Sequence, residues 1–335
     1  MRLKSLNKIY IISASVFIVL LVSMLYLFFS PHQLKNNKFV TFTVEQGDSY
    51  NKVLERLKEQ GIVESVTPLK VLGFILGADT KIKAGRYRIE SGYSYVDLVS
   101  MLVDGEAERS MLVTLYSGIS MNAVANKLHA LGVTDKQQFL SAAKNRVVLD
   151  SIGINAPSME GYILPDEYHF YKETPAELVL QEFAKNFQEF AKLELQNNPT
   201  YSLHELVTLA SIIDGETNSP DEMPIISGVY HNRLQKGMLL QSDPTVQYAL
   251  GGEYRRLLYA DLNVESPYNT YRYAGLPPGP INNPGRQALL AANTPGRHAY
   301  LFFVADTNGT HDFSVTYNEH LVKAKKYHKW LNSLD

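Results

Sequence analysis

The longest apolar stretch stands at the start of the chain, where Ile9 to Phe29 carries no charged residue. A helix rises about 1.5 Å per residue, so this run suffices to cross a hydrocarbon core about 30 Å thick. A helix meant for the interior of a soluble protein normally keeps a polar face, and no charged face exists here. After it the pattern turns short and periodic. Phe39-Val40-Thr41-Phe42-Thr43-Val44 reads as a strand, passes through Gly47-Asp48-Ser49, and enters a helix with Val53, Leu54, Leu57 and Ile62. The same order recurs from Tyr87-Arg88-Ile89 through Gly92-Tyr93-Ser94 to Val96, Leu98, Val99 and Leu102. It recurs again from Leu112-Val113-Thr114-Leu115 through Gly118-Ile119-Ser120 to Val124, Leu128 and Leu131. Each unit is a strand, a glycine for its exit, a serine to cap the next helix, and apolar residues at helical spacing. None can bury its apolar face alone, so the three are expected to pack into one small α+β region.

From about Ser158 onward aromatics, proline and asparagine become dense, as where loops line a polar groove. Helices are predicted from Pro175 to about Leu195, from about Leu203 to Glu216, and from Pro220 to Lys236. For the third, Ser219 is placed as N-cap, Pro220 at the first helical position, Glu222 at the capping-box position, and Gly237 at the end. A fourth runs from Gly285 to Ala292, and His320 to Leu331 closes the chain. Leu301-Phe302-Phe303-Val304 is a buried-strand candidate with Phe313-Ser314-Val315 as partner. The first of the repeated units, Val44-Glu45-Gln46-Gly47-Asp48-Ser49, resembles the opening of a LysM module, a fold associated with N-acetylated glycans. The bland alternative is that these units only pack.

Composition narrows the function. A formal net charge of −2 over 335 residues leaves no basic surface for nucleic acid. The absence of cysteine excludes disulfides, Cys-based metal sites and a Cys nucleophile. Arg2, Lys4 and Lys8 precede the apolar run and predict a cytoplasmic N-terminus with the remainder exported, a bias that Lys35 and Lys38 weaken. Phe28-Phe29-Ser30-Pro31 offers no small-x-small cleavage pattern, so a retained anchor is expected over a cleaved signal. His204-Glu205 begins like a zinc-protease helix, but Thr208 stands where the second histidine would be. No metal and no cofactor are expected, and no Gly-x-Ser-x-Gly elbow is present.

Glu216 is the candidate for chemistry. Leu206, Leu209, Ala210 and Ile213 form an apolar stripe, and Glu216 continues it one turn later, near a helix C-terminus. Burial and the helix dipole both raise a carboxyl pKa, which suits a general acid at neutral pH. The alternative is a frayed helix end with a solvated side chain.

Leu209-Ala210-Ser211-Ile212-Ile213-x-x-Glu216-Thr217 resembles the catalytic signature of the endolytic murein transglycosylases (the MltG or YceG-like family). Further matches are Val229-Tyr230-His231-Asn232-Arg233-Leu234 and Met238-x-Leu240-Gln241-Ser242-Asp243-Pro244-Thr245-Val246-x-Tyr248. Ser266-Pro267-Tyr268-Asn269-Thr270-Tyr271, Gly275-Leu276-Pro277-Pro278-Gly279-Pro280-Ile281, Asn283-Pro284-Gly285 and Tyr300-Leu301-Phe302-Phe303-Val304-Ala305 follow. Upstream stand Glu160-Gly161-Tyr162-x-x-Pro165-Asp166-x-Tyr168 and Lys83-Ala84-Gly85-x-Tyr87. The resemblance spans the whole chain. It implies a lyase that cleaves the β-1,4 bond between N-acetylmuramic acid and N-acetylglucosamine in nascent peptidoglycan strands, leaving 1,6-anhydro ends and terminating strand growth. The second Glu of the family's paired-Glu motif, its acid/base, falls on Glu216. The first is replaced by Asp214, with Gly215 between.

On this reading the fold is α+β and divides into 1–8, a cytoplasmic N-terminus; 9–29, a transmembrane helix; 30–38, a linker; 39–108, a LysM-like small α+β region; 109–157, a connecting strand-turn-helix; and 158–335, a mixed α+β catalytic domain. Gln241, Asp243, Asn269 and Tyr271 are candidate groove residues for sugar hydroxyls and acetamido groups, as are Glu160 and Asp166 beside a proline turn. Loop stabilisation is the competing role for each. Expected partners are peptidoglycan strands, the inner membrane through the N-terminal helix and, by the resemblance, penicillin-binding proteins. The rival functions are a non-catalytic membrane-tethered glycan-binding scaffold and a water-using muramidase, which would need a second carboxylate facing Glu216.

Overall fold

The computed structural model describes residues 2–34, 38–195, 198–252 and 255–333, with side chains described from residue 12 onward. Lys35 and the side chains of Arg2, Lys4 and Lys8 lie outside the described residues. The chain forms two compact units, Met1–Arg109 and Ser110–Asp335.

The first unit opens with helix α1, Arg2–Phe29, whose apolar residues from Ile12 on are almost entirely uncovered by protein. Phe28 is the exception, sunk into the unit's core. The segment expected to be a linker is tied down where it is described. The His32 amide donates to the Tyr93 carbonyl at 2.7 Å, its ring lies against Tyr93 and Tyr95, and the Leu34 amide donates to Ser91 Oγ. Strand β1, Phe39–Val44, leads to α2, Tyr50–Glu59, and α3, Thr67–Leu76. Strand β2, Gly85–Glu90, pairs antiparallel with β1 from Phe39↔Glu90 to Val44↔Gly85, and α4, Tyr95–Asp104, ends the unit. Ser49 and Ser94 cap α2 and α4, Ser94 in a full capping box with Asp97. Gly47 and Gly92 take the positive φ that turns the chain out of each strand. Phe42, Leu54, Leu57, Leu69, Tyr87, Ile89, Leu98 and Leu102 fill the core, each buried aliphatic side chain contributing roughly 1.5–3 kcal/mol.

The third strand-turn-helix unit does not join the first two. Strand β3, Met111–Thr114, opens the second unit, followed by α5, Met121–Ala130, capped by Ser120. Helices α6, Lys136–Ala142, and α7, Arg146–Ser151, come next, then β4, Glu167–Phe170, which pairs antiparallel with β3. Periodicity specifies a strand and its buried face but not its partner. Helix α8, Ala176–Glu194, lays Phe183 and Phe187 against Phe139, Tyr168, Phe170 and Tyr162.

Helix α9, Leu203–Glu216, starts at a Ser202–Glu205 capping box and is buried on every face from Leu206 to Asp214, where one apolar stripe was expected. Helix α10, Met223–Gln235, begins later than the Ser219-Pro220-x-Glu222 signal predicts, with Pro224 in its first turn. Ser219 to Glu222 is a turn, and Glu222 bonds elsewhere. Helix α11, Asp243–Ala249, stands where no helix was expected. Helix α12, Arg286–Asn293, is N-capped by Gly285. Strands β5, Phe302–Ala305, and β6, His311–Ser314, pair antiparallel; β5 is half-buried rather than buried. Helix α13, Tyr317–Leu331, starts three residues before His320, at a Thr316–Glu319 capping box. Helices α10, α11 and α12 all pack on α9, so its C-terminal end is where three elements converge.

Candidate active site

Glu216 is the last residue of α9. Its Oε1 accepts two hydrogen bonds, from the Tyr230 hydroxyl at 2.6 Å and from Ser242 Oγ at 2.5 Å. Among the described residues nothing bonds Oε2, and Oε2 is not sealed from solvent. Burial pushes the Glu216 carboxyl up from the usual range. Ser242 and Tyr230 pull it partly back, because a donor favours the charged form, and the nearby Asp243 pushes it up again. The net direction is upward, as an acid that must hold its proton near neutrality requires.

Each partner is itself held. Tyr230 lies fully buried on α10, and burial together with the Glu216 charge keeps its hydroxyl protonated far above the ordinary range. Ser242, also fully buried, donates its amide to Thr270 Oγ1 at 3.0 Å. The preceding Gln241 has φ +50°, uncommon outside glycine, and donates its amide to the Thr270 carbonyl. A non-glycine residue in this region persists where its surroundings hold the backbone in place. Arg233 supplies part of that hold. Its Nη1 donates to the Leu240 carbonyl at 2.6 Å and its Nε to the Leu301 carbonyl at 2.7 Å, joining α10 to the Gln241 turn and to the residue just before β5.

The expected groove residues separate into two groups. Asp243 is exposed at the start of α11 and accepts from the Tyr271 hydroxyl at 2.6 Å, while Gln241 stands exposed two residues earlier. Glu216, Gln241, Asp243 and Tyr271 are therefore brought together. Asn269 is fully buried instead. Its Nδ2 donates to the Leu262 and Val264 carbonyls at 2.9 Å, and its Oδ1 accepts from the Tyr271 amide, so it shapes the loop that presents Tyr271. Glu160 is buried too, accepting from the Met121 amide at the start of α5 and from Asn283 Nδ2. Burial raises its carboxyl to about 7 against the lowering effect of Met121. Asp166 is ion-paired with Arg286 at 2.6 Å. Burial alone would raise Asp166, but bonds from the Glu167 amide, Arg286 and Asn186 hold it below the usual range.

Asp214 sits about 200° around the helix from Glu216 and faces away from it. Its Oδ1 accepts from Ser117 Oγ and from the Gly285 amide at 3.0 Å, bracing the turn before α5 and the start of α12. Gly215 has a packing reason. A Cβ there would lie 2.8 Å from the Pro244 Cβ, so glycine's cost in a helix, about 1 kcal/mol, allows α11 to close on α9. Glu222 clamps the far side, accepting from Thr217 Oγ1 and from the His311 amide and ring. His204 is used between the Tyr162 hydroxyl and the Pro278 carbonyl. A separate cavity of about 480 Å³ lies between α10 and residues 293–298, without Glu216 or any other carboxylate, so chemistry rather than concavity assigns the site.

Tyr230, Ser242, Arg233 and Thr270 all fall within the motifs read from the sequence, yet only the fold reveals their roles. A buried tyrosine must find a partner for its hydroxyl, and that is the one signal that could have singled out Tyr230.

The sequence model of the YceG-like family matches residues 42–326. A protein named endolytic murein transglycosylase from Bacillus subtilis (strain 168) is 30% identical over 315 residues, covering 89% of this chain and 87% of that protein. One of the same name from Streptococcus pneumoniae serotype 2 (strain D39) is 27% identical, covering 89% of this chain but 61% of that longer protein. A crystal structure of a yceG-like protein from Listeria monocytogenes aligns with a TM-score of 0.56 and 27% identity, over 85% of this chain and 98% of that one.

Proposed function

The chain belongs to the YceG-like family, and from that premise we propose that it is an endolytic murein transglycosylase with Glu216 as its single acid/base. The observation that carries this reading is the carboxyl itself: raised by burial, held through one oxygen, open at the other.

Glu216 protonates the oxygen leaving C1 of N-acetylmuramic acid. The C6 hydroxyl of the same sugar attacks C1, and Glu216 takes its proton. One C–O bond breaks, another forms within the ring system, and the carboxyl ends as it began. A hydrolase needs a second carboxyl to activate water or to attack. Here the nucleophile is already tethered beside C1, and proximity substitutes for that group. Asp243, held by Tyr271, is the carboxylate suited to ease the positive charge that develops at C1. Gln241 and Tyr271 supply hydrogen bonds to the sugars.

α1 is the membrane anchor in this proposal, and a peptidoglycan substrate requires the rest of the chain on the outer side of the cytoplasmic membrane. The test is digestion of purified uncrosslinked glycan strands by the full-length protein, followed by sizing. Cleavage inside strands shortens the whole distribution early in the reaction. A scaffold would bind the strands and leave their lengths unchanged, and that result would overturn the assignment.

A further inference from the structure

We propose that Tyr230 and Ser242 are positioning residues that confine the working proton of Glu216 to Oε2, the oxygen that faces the substrate. The inference rests on the acid/base reading above and deepens it.

A carboxyl oxygen has two in-plane lone pairs, and a protonated carboxyl carries one O–H donor. On Glu216 both acceptor positions of Oε1 are filled, by a phenol at 2.6 Å and an alcohol at 2.5 Å. Moving the acid proton to Oε1 would oppose it to one of these hydroxyls, which would then have to turn away. Neither turns cheaply. Both side chains are fully buried, and the Tyr230 oxygen is the alternative partner within reach of Ser242, so a proton on Oε1 would have to rearrange both hydroxyls together, while one on Oε2 disturbs neither. The proton therefore resides on Oε2, the oxygen without a protein partner. The same geometry serves the second half of the cycle, since Oε2 is also where the carboxylate can receive the proton from the sugar hydroxyl.

The surroundings are arranged to keep Ser242 there. The Gln241 backbone stands at φ +50°, Thr270 accepts the Ser242 amide, and Arg233 holds the Leu240 carbonyl. Thr245 Oγ1 donates to the Ser242 carbonyl at 2.7 Å. A catalytic group whose supports are themselves locked is held to the tolerance that proton transfer needs.

The experiment uses the full-length protein and the variants Tyr230→Phe and Ser242→Ala. Each should lower kcat about tenfold to a hundredfold, as loss of one hydrogen bond to a charged group implies, with KM little changed. In each the alkaline limb of the kcat profile should move to higher pH, because the carboxyl loses a donor that favours its charged form. The infrared carboxyl band that vanishes in Glu216→Gln gives a readout independent of turnover. With the proton on Oε2, the carbonyl is Oε1 and bears both hydroxyls, so its stretch should be low and should rise in either variant. A band already at the free-carbonyl position, unmoved by both substitutions, would place the proton on Oε1 and overturn the proposal. So would variants whose kcat and alkaline limb match those of the parent. If the parent chain cleaves no strands at all, the assignment of function fails instead, and the two failures are told apart by that single control.

Discussion

Glu216→Gln is expected to lower the initial rate of strand cleavage by about 10²- to 10⁴-fold, the contribution typical of a positioned general acid/base. Glutamine keeps the length of the side chain, and its carbonyl can accept from Tyr230 and Ser242 as Oε1 does. Its amide then faces the substrate with hydrogens that it cannot transfer. The substitution thus separates shape from proton. It also removes a carboxyl whose charged form burial disfavours, so thermal stability at neutral pH should hold or rise. Sizing of digested strands reports the first effect and a melting curve the second. Cleavage at the parent rate by a folded variant would mean that the acid lies elsewhere.

Glu160→Gln should change how stability depends on pH. The Glu160 carboxyl is 7% exposed and raised from 4.5 to about 7, chiefly by burial. A carboxyl with a raised pKa in the folded state binds its proton more tightly there than in the unfolded chain. Its stabilising contribution is therefore complete below pH 4.5, declines as pH climbs, and is gone above about 7. Across that window the parent should lose on the order of 3 kcal/mol, at about 1.4 kcal/mol per unit. Glutamine keeps an acceptor for the Met121 amide and Asn283 but does not titrate. Denaturant melts at pH 5 and pH 8 should show a smaller pH-dependent loss in the variant than in the parent, and strand cleavage should persist. Equal losses in both would show that Glu160 is not the titrating group, and loss of cleavage with unchanged stability would return it to the groove.

Much of the local structure could be read from residue order because its causes are local. Ser49, Ser94 and Ser120 cap their helices by accepting from the amide three residues on, and α9 runs between the residues that sequence marks as its ends. What escaped depends on partners distant in the chain. β3 pairs with β4 rather than with the earlier strands, and Glu222 leaves its expected capping role because His311 and Thr217 offer better partners. Glu216 could be singled out as a carboxylate ending an apolar stripe. Ser242 could not, and Tyr230 only as a tyrosine in need of a partner, since the residue each one bonds lies 26 and 14 positions away. Asn269 shows the converse: a residue type suited equally to sugar contact and to turns is consumed by its own loop.

The most direct measurement is the chemistry of the new chain end. Strands digested in water enriched in oxygen-18 should carry 1,6-anhydro-muramic acid ends, lighter than a reducing end by one water and free of the heavy isotope. Reducing ends bearing oxygen-18 would mean that solvent attacked C1, and a single carboxyl aided by the sugar's own hydroxyl would no longer describe this enzyme.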